Sequence, residues 1–364
     1  MRIAIQAPRV SYYYGGTERY ILNLALELQR LGNNVFLITY NSPRKTRWLS
    51  DFKKMFKGKI IFLKSEELNK NFPKFKEATK PDLWDLESKL FSKITAQYCK
   101  KNKFDIISLH YASDCLSFPK DQNICLHLHG APKKLRKVDV SAIKIPLKII
   151  AVSNYVFNGW KKAIPKNKKI CVIPNGITNL KPMEIKKSHD VLFFGRLIKT
   201  KGVDLLIKSI KETKKTFDKI SVKIVGEGPE KEKLKNLTKR LKLEKNIDFL
   251  GYIPDLELYR LIESSKISVF PSYAKEGIMT TLLESAKLNS AILASDSCSN
   301  SEFISGSKTG VLFKPKSVED LSEKIKLLLL NEELRNKLIK NAYRKVDEFS
   351  WANQIKKILK FYKS

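Results

Sequence analysis

The chain has 364 residues, 43% hydrophobic and 29% charged, which are globular values and exclude wholesale disorder. No apolar run approaches the roughly 20 residues of a membrane-spanning helix, and the five cysteines contain no CxxC pair, so they support neither a disulfide framework nor a zinc site. The formal net charge of +33 suits anionic partners such as nucleic acid, anionic lipid or phosphorylated substrates, but 58 of the 70 basic residues are lysine, which a solvated surface explains equally well.

The length favours two domains of about 180 residues. MRIAIQAP at the N-terminus reads as a strand without the longer apolar core of a signal peptide, so a soluble, cytoplasmic protein is the expectation. Short, nearly continuous apolar runs follow at Ile3–Ala7, Val35–Tyr40, Ile60–Leu63, Ile106–His110, Ile124–His129, Ile149–Ser153 and Cys171–Ile173. A second series comprises Val191–Gly195, Ser221–Val225, Ile247–Leu250, Ile267–Phe270, Ala291–Ser295 and Gly310–Phe313. Runs of this kind, separated by amphipathic stretches, indicate parallel strands buried on both faces in α/β layers.

The plainest helix is Tyr20–Leu31, with Ile21, Leu24, Ala25, Leu28 and Leu31 on one face and Gly32 as terminator. Segment Lys64–Lys89, lysine-rich with Pro73 and Pro81, is the least readable. The polar stretch Thr178–Asp190 separates the two series, which predicts two facing Rossmann-like domains, with ligands at the carboxyl ends of the strands.

Two loops after strands carry most of the chemistry. In PSYAKEGIMTTLLE (271–284), Glu276 and Glu284 flank a segment whose amides, Gly277–Thr280, are expected to open a helix and favour an anion. A carboxylate on each side of an anion site suits a nucleotide sugar, although a capped helix with incidental glutamates has the same sequence. In FGRLIKTKG (194–202), Arg196 and Lys201 are two cations able to neutralise a leaving diphosphate without a metal. No DxD triplet is present, and SYYYGGTE after the first strand lacks GxGxxG, which argues against NAD or FAD.

These stretches, with GGTERYILNLALELQRLG (15–32), HLHG (127–130), AVSNYV (151–156), IPNGI (173–177), VGEGPE (225–230) and SDSCSNSE (295–302), resemble the retaining glycosyltransferases of family 4 (glycosyl transferases group 1) across almost the whole chain. The resemblance implies the GT-B architecture. The first domain would span 1–178 and be rejoined by the C-terminal helix 350–364, and the donor domain would span 179–349. It assigns Glu284 to the ribose hydroxyls, Glu276 to the transferred sugar, and Gly277, Ile278, Met279 and Thr280 to sugar or phosphate oxygens. Arg196 and Lys201 would bind the diphosphate, Tyr252 and Ile253 the base, Gly15 and Gly16 the diphosphate side of the first domain, and His129 the donor sugar. Thr17 and Glu18 would face the acceptor, although an acid in the first turn of a helix is also favoured by the dipole alone. Departures from the family pattern are Met279, Asn289–Ser290–Ala291 and Cys298–Ser299; Asn289 is expected to keep a left-handed turn.

The implied reaction moves a hexosyl unit from a nucleoside diphosphate to a glycan or lipid-linked hydroxyl, with retention, no metal and no cofactor. Polysaccharide, lipopolysaccharide or glycolipid synthesis is the expected context. Basic segments at 44–48, 53–59 and 133–137 suggest peripheral contact with an anionic membrane. The alternatives are a catalytically silent nucleotide-sugar-binding relative and a basic nucleic-acid-binding protein; no nucleic-acid-binding signature accompanies the charge.

Overall fold

The computed structural model describes residues 1–13, 15–43, 47–75, 81–304 and 308–364. The chain forms two compact units, Met1–Gly176 with Trp351–Ser364, and Ile177–Ser350. Ile177 belongs with the second unit because its N–H donates to the Phe349 carbonyl (2.8 Å) and it bridges to Ser350.

In chain order the first unit contains β1 (Arg2–Gln6), α1 (Gly16–Arg30), β2 (Asn34–Tyr40), α2 (Arg47–Met55), β3 (Lys59–Leu63), α3 (Glu66–Phe75) and α4 (Pro81–Asn102). It continues with β4 (Ile106–Leu109), β5 (Ile124–Leu128), α5 (Lys137–Ala142), β6 (Lys148–Ala151), α6 (Asn154–Trp160) and β7 (Lys169–Val172). Its seven strands form one parallel sheet in the order β3-β2-β1-β4-β5-β6-β7.

The second unit contains β8 (His189–Phe194), α7 (Val203–Thr213), β9 (Val222–Val225), α8 (Lys231–Arg240), β10 (Ile247–Gly251), α9 (Asp255–Ser264) and β11 (Ser265–Phe270). Then come α10 (Thr280–Lys287), β12 (Ala291–Ser295), α11 (Asn300–Ile304), β13 (Val311–Phe313), α12 (Val318–Leu330) and α13 (Glu332–Lys345). Its parallel sheet runs β10-β9-β8-β11-β12-β13. The last helix, α14 (Trp351–Lys363), returns to the first unit.

Each of the thirteen apolar runs forms a strand. In the central strands the side chains of Ile3, Ile5, Val191, Val269 and Leu293 are wholly buried, as expected where helices cover both faces. Helix α1 buries Ile21, Leu24, Ala25 and Leu28, and Gly32 ends it at φ +77°. Trp351, Ile355, Ile358 and Tyr362 of α14 share one core with Ile3, Leu24 and Leu28, so the apolar stripe of the last helix is buried in the first unit. Gly176 is required there: a Cβ would stand 2.3 Å from the Trp351 ring.

The segment that separates the two strand series is tied to the second unit. The buried carboxylate of Glu263 accepts from the N–H groups of Met183, Glu184 and Ile185, the first two at 2.7 Å. The Lys187 amine donates to the carbonyls of Glu263, Ser265 and Asn289, and burial lowers its pKa to about 8. Asn289 has φ +55°, the left-handed turn expected of it. Two helices lie in the segment that the sequence left unread: α3 keeps Pro73 in its interior and buries Leu68, Phe72 and Phe75, while α4 runs for 22 residues. Of the basic segment 44–48, residues 44–46 lie outside the described residues.

Beneath the turn after β1, Arg9 is 6% exposed and donates to Glu87 (2.7 Å) while stacking on Trp84 and Tyr111. Glu87, 2% exposed, also accepts from the Tyr12 hydroxyl. Removing the guanidinium would leave a buried carboxylate without its cation. Arg9→Ala is therefore expected to cost about 3–5 kcal/mol in urea unfolding, and Arg9→Ala/Glu87→Ala less than the sum of the single losses. Additive losses would show that the two groups do not act as a pair.

Candidate active site

β8 and β11 are neighbours in the second sheet, so the segments that follow them leave side by side. After β8 come Arg196 and a 3-10 turn, Lys199–Lys201, closed by Gly202 at φ +69°. A Cβ on Gly202 would meet the Pro271 carbonyl oxygen at 2.3 Å, so the turn rests directly on the segment after β11. There the Tyr273 N–H donates to the Thr200 carbonyl (2.9 Å).

This contact brings Lys201 to Glu276: the ammonium lies 2.5 Å from Oε1, with the side chains 18% and 33% exposed. Its nitrogen also lies 3.9 Å from the Met279 sulfur. Ser272 donates from its hydroxyl to the same Glu276 oxygen (3.1 Å). The loop after β12 holds the segment from behind, with Ser297 Oγ donating to the Ser272 carbonyl (2.6 Å) and Ser299 Oγ to the Glu276 carbonyl (3.0 Å). Cys298 between them takes φ +52°, which explains how a residue with a side chain fills a turn that favours glycine.

The amides of Gly277 and Ile278 do not open a helix, contrary to the sequence reading. Helix α10 starts at Thr280 with Met279 as N-cap residue. Leu282 and Leu283 already bond to the Met279 carbonyl (3.1 and 3.3 Å), so Thr280 and Thr281 supply the leading amides. Ile278 and Met279 point into the core with Leu282 and Leu283, which pulls the loop shut ahead of the helix. Glu284 occupies the second turn and is 2% exposed. Tyr252 and Ile253 follow β10, with Tyr252 57% exposed and Ile253 packed on the core shared with α10. The structure thus gathers Lys201, Glu276 and Met279, sets Arg196 at the end of β8 and keeps residues 252–253, after β10, two strands beyond β8.

In the first unit, Gly15 caps α1 and Gly16 opens it; a Cβ at Gly16 would meet nothing within 4 Å. Thr17 is half-buried. Glu18 is turned inward and 2% exposed, its Oε2 accepting from the Gly15 N–H (3.1 Å) and its Oε1 from the Tyr111 hydroxyl (2.8 Å). The fold itself therefore uses the carboxylate assigned to an acceptor: it closes the glycine turn.

His129 follows β5 at its carboxyl end, half-buried, with its ring edge-on to Tyr20 (4.8 Å). Its Nε2 lies 3.1 Å from Nδ1 of His110, which ends the Ile106–His110 run one strand away. Burial lowers the pKa of His129 to about 3 and that of His110 well below the ordinary value, so both are neutral. His127 is wholly buried between the hydroxyls of Tyr20 and Tyr362. Ser153 is the N-cap of α6, accepting from the Val156 N–H (3.1 Å). The sequence reading missed His110 and the serine clamp at 272, 297 and 299. The strand-end position that singled out His129 applies equally to His110.

The family model described as Glycosyl transferases group 1 matches residues 179–345, and that described as Glycosyltransferase Family 4 matches 14–178. An uncharacterised glycosyltransferase of Methanocaldococcus jannaschii is 28% identical over 74% of this chain and 78% of its own length. The N,N'-diacetylbacillosaminyl-diphospho-undecaprenol alpha-1,3-N-acetylgalactosaminyltransferase of Campylobacter jejuni is 33% identical over 54% of this chain and 55% of its own. The alignments thus span only part of these relatives. Among solved structures, Anabaena HepE in complex with UDP and glucose has a TM-score of 0.79 and 16% identity, covering 99% of this chain and 98% of its own.

The Gly202 turn allows a direct check of the Lys201–Glu276 geometry. Gly202→Ala forces a Cβ into a left-handed position and against a carbonyl, and is expected to cost about 1–3 kcal/mol in urea unfolding. An unchanged midpoint would show that the turn does not rest on Pro271 in solution.

Proposed function

We propose that this chain, which belongs to the glycosyltransferases of the GT-B fold, transfers a hexosyl unit from a nucleoside-diphosphate sugar to a hydroxyl of a glycan or lipid-linked acceptor, with retention of anomeric configuration. The observation that carries this reading is the Lys201–Glu276 pair, held by the turn at Gly202 just ahead of α10. It brings a cation from the turn after β8 to a carboxylate and a helix N-terminus on the segment after β11, a combination that serves a departing diphosphate and the sugar it leaves.

In this reading the transition state gathers negative charge on the diphosphate, and Arg196, Lys201 and the amides of Thr280 and Thr281 stabilise it as it develops. The sugar, positive at its anomeric carbon, faces Glu276. When Lys201 turns to the phosphate, Glu276 is released to accept from sugar hydroxyls. Gly277, Ile278 and Met279 offer backbone groups only, since glycine has no side chain and those of Ile278 and Met279 pack in the core. Glu284 takes the ribose hydroxyls and the backbone at Tyr252 and Ile253 the base. From the first unit, His129 serves the transferred sugar and the Gly15–Gly16–Thr17 turn the diphosphate and acceptor. UDP is the first nucleotide to test, because HepE was solved with it. The Campylobacter relative, named for a diphospho-undecaprenol substrate, supports a lipid-linked acceptor. No metal is invoked, because the cations of the chain supply the charge the leaving group needs.

Titration with nucleoside diphosphates is expected to show one preferred base, and Glu284→Ala to weaken that binding at least tenfold. Arg196→Ala should lower kcat by about 100-fold while changing donor affinity little; equal losses in both would contradict its leaving-group role. Excess EDTA should leave turnover unchanged, and NMR of the product should show the donor's anomeric configuration.

No helix among the described residues is long and apolar enough to cross a membrane. Access to a lipid-linked acceptor would then come through the net charge of +33 and peripheral contact with an anionic cytoplasmic leaflet. The chain is expected to sediment with anionic vesicles and not with neutral ones. Equal sedimentation with both would remove the idea.

A further inference from the structure

We propose that His110 is a positioning residue that, with Ser108 and Tyr362, forms a one-way hydrogen-bond relay holding His129 as its Nδ1–H tautomer. The use of that N–H, donation to a sugar oxygen, rests on the function proposed above.

The relay runs through the interior of the first unit. Ser108 and His110 alternate along β4 and past its end, as His127 and His129 do along β5, and the two strands are paired. The rings therefore pile together, His110 at 4.8 Å from His127 and 5.3 Å from His129 between centroids. Burial lowers the pKa of all three imidazoles, which leaves each with one N–H and one bare nitrogen.

The direction of each bond follows from a proton count. Tyr362 Oη donates to Ser108 Oγ (3.0 Å), so its single proton is used and its oxygen accepts from His127 Nε2–H (2.8 Å). His127 Nδ1 is then bare and accepts from the Tyr20 hydroxyl (3.0 Å). Ser108 in turn gives its proton to His110 Nε2 (3.2 Å), which places the His110 proton on Nδ1, directed at His129 Nε2 (3.1 Å). His129 keeps its proton on Nδ1. Reversing the chain would make the Tyr20 hydroxyl an acceptor. Tyr20 is 3% exposed, and among the described residues its hydroxyl has no other hydrogen-bond partner. Its proton would be buried unpaired, a costly arrangement. The forward order instead leaves its one spare proton on Nδ1 of His129, the half-buried end of the relay, where a ligand oxygen can accept it.

The chain has four histidines and the fourth, His189, lies in the other unit, so assignment of their ring nitrogens is tractable. Long-range 1H–15N spectra of the full-length protein labelled with 15N-histidine are expected to show His129 as the Nδ1–H form. Ser108→Ala removes the donor that fixes His110 and should give a mixture of both His129 tautomers; Ser108→Thr, which keeps the hydroxyl, should restore one. A wild-type His129 protonated on Nε2 would overturn the relay without any variant, as would a His129 tautomer unmoved by Ser108→Ala. Turnover of the nucleotide sugar should fall about tenfold in Ser108→Ala, the rate equivalent of one hydrogen bond, with donor KM within about twofold. If the tautomer shifts as stated and turnover does not follow, the relay holds and the sugar contact assigned to His129 falls instead.

Discussion

Strands buried on both faces cannot carry polar side chains without a partner for each one, and this constraint distributes the chemistry of the whole chain. Interior positions such as Ile5, Val191 and Leu293 are apolar and fully buried. Polar groups are therefore displaced to the segments beyond the carboxyl ends: His110 after β4, His129 after β5, Arg196 after β8, Glu276 after β11 and Ser297–Ser299 after β12. Polar residues inside the strands largely obey the same rule: Ser108, His127, Thr39 and Ser268 are hydrogen-bonded, and Gln6 donates to Ser92 although its amide oxygen has no partner.

Charge is handled differently in the two units. In the second, the Lys201 ammonium is neutralised by one carboxylate on a loop held by three serines, an arrangement that an incoming anion can rearrange without breaking the loop. In the first, Arg9 is locked against Glu87 between two aromatic rings, where rearrangement would strand a charge. Arginine elsewhere is structural as well: Arg136 pairs with Asp85 and Asp139, and Arg335 donates to the carbonyls of Leu328 and Leu329. The lysine excess supplies field; a few fixed cations supply geometry.

The strands were legible because a buried parallel strand leaves one unambiguous mark, an unbroken apolar run. Helices α3 and α4 were not, because lysines interrupt their apolar positions and Pro73 reads as a breaker, although its place in α3 is tolerated. Around the candidate site, the loops were visible as motifs but their hydrogen bonding was not. Nothing in the order of residues 276–280 reveals that Ile278 and Met279 are drawn into the core and delay the helix to Thr280. Glu18 offers the same lesson. Its position in a first turn was readable, yet its second partner, Tyr111, is 93 residues away. His110 was missed because its meaning lies in a neighbouring strand and in a helix at the far end of the chain.

Helix α1 joins the two polar networks of the first unit. Its Glu18 closes the glycine turn and reaches Tyr111, whose ring also stacks on Arg9; the N–H of Tyr111 donates to Asp114, a wholly buried acid that burial raises to about pKa 6. Its Tyr20, two residues on, donates to His127 and meets His129 with its ring. One network is charged and resists displacement; the other is neutral and gains its order from the direction of its protons. Both are anchored on one helix, two residues apart, which ties the Gly15–Gly16 turn and the His129 ring to the same element. The C-terminal helix completes the arrangement: without the Tyr362 hydroxyl, Ser108 would lose the bond that fixes which way its proton points.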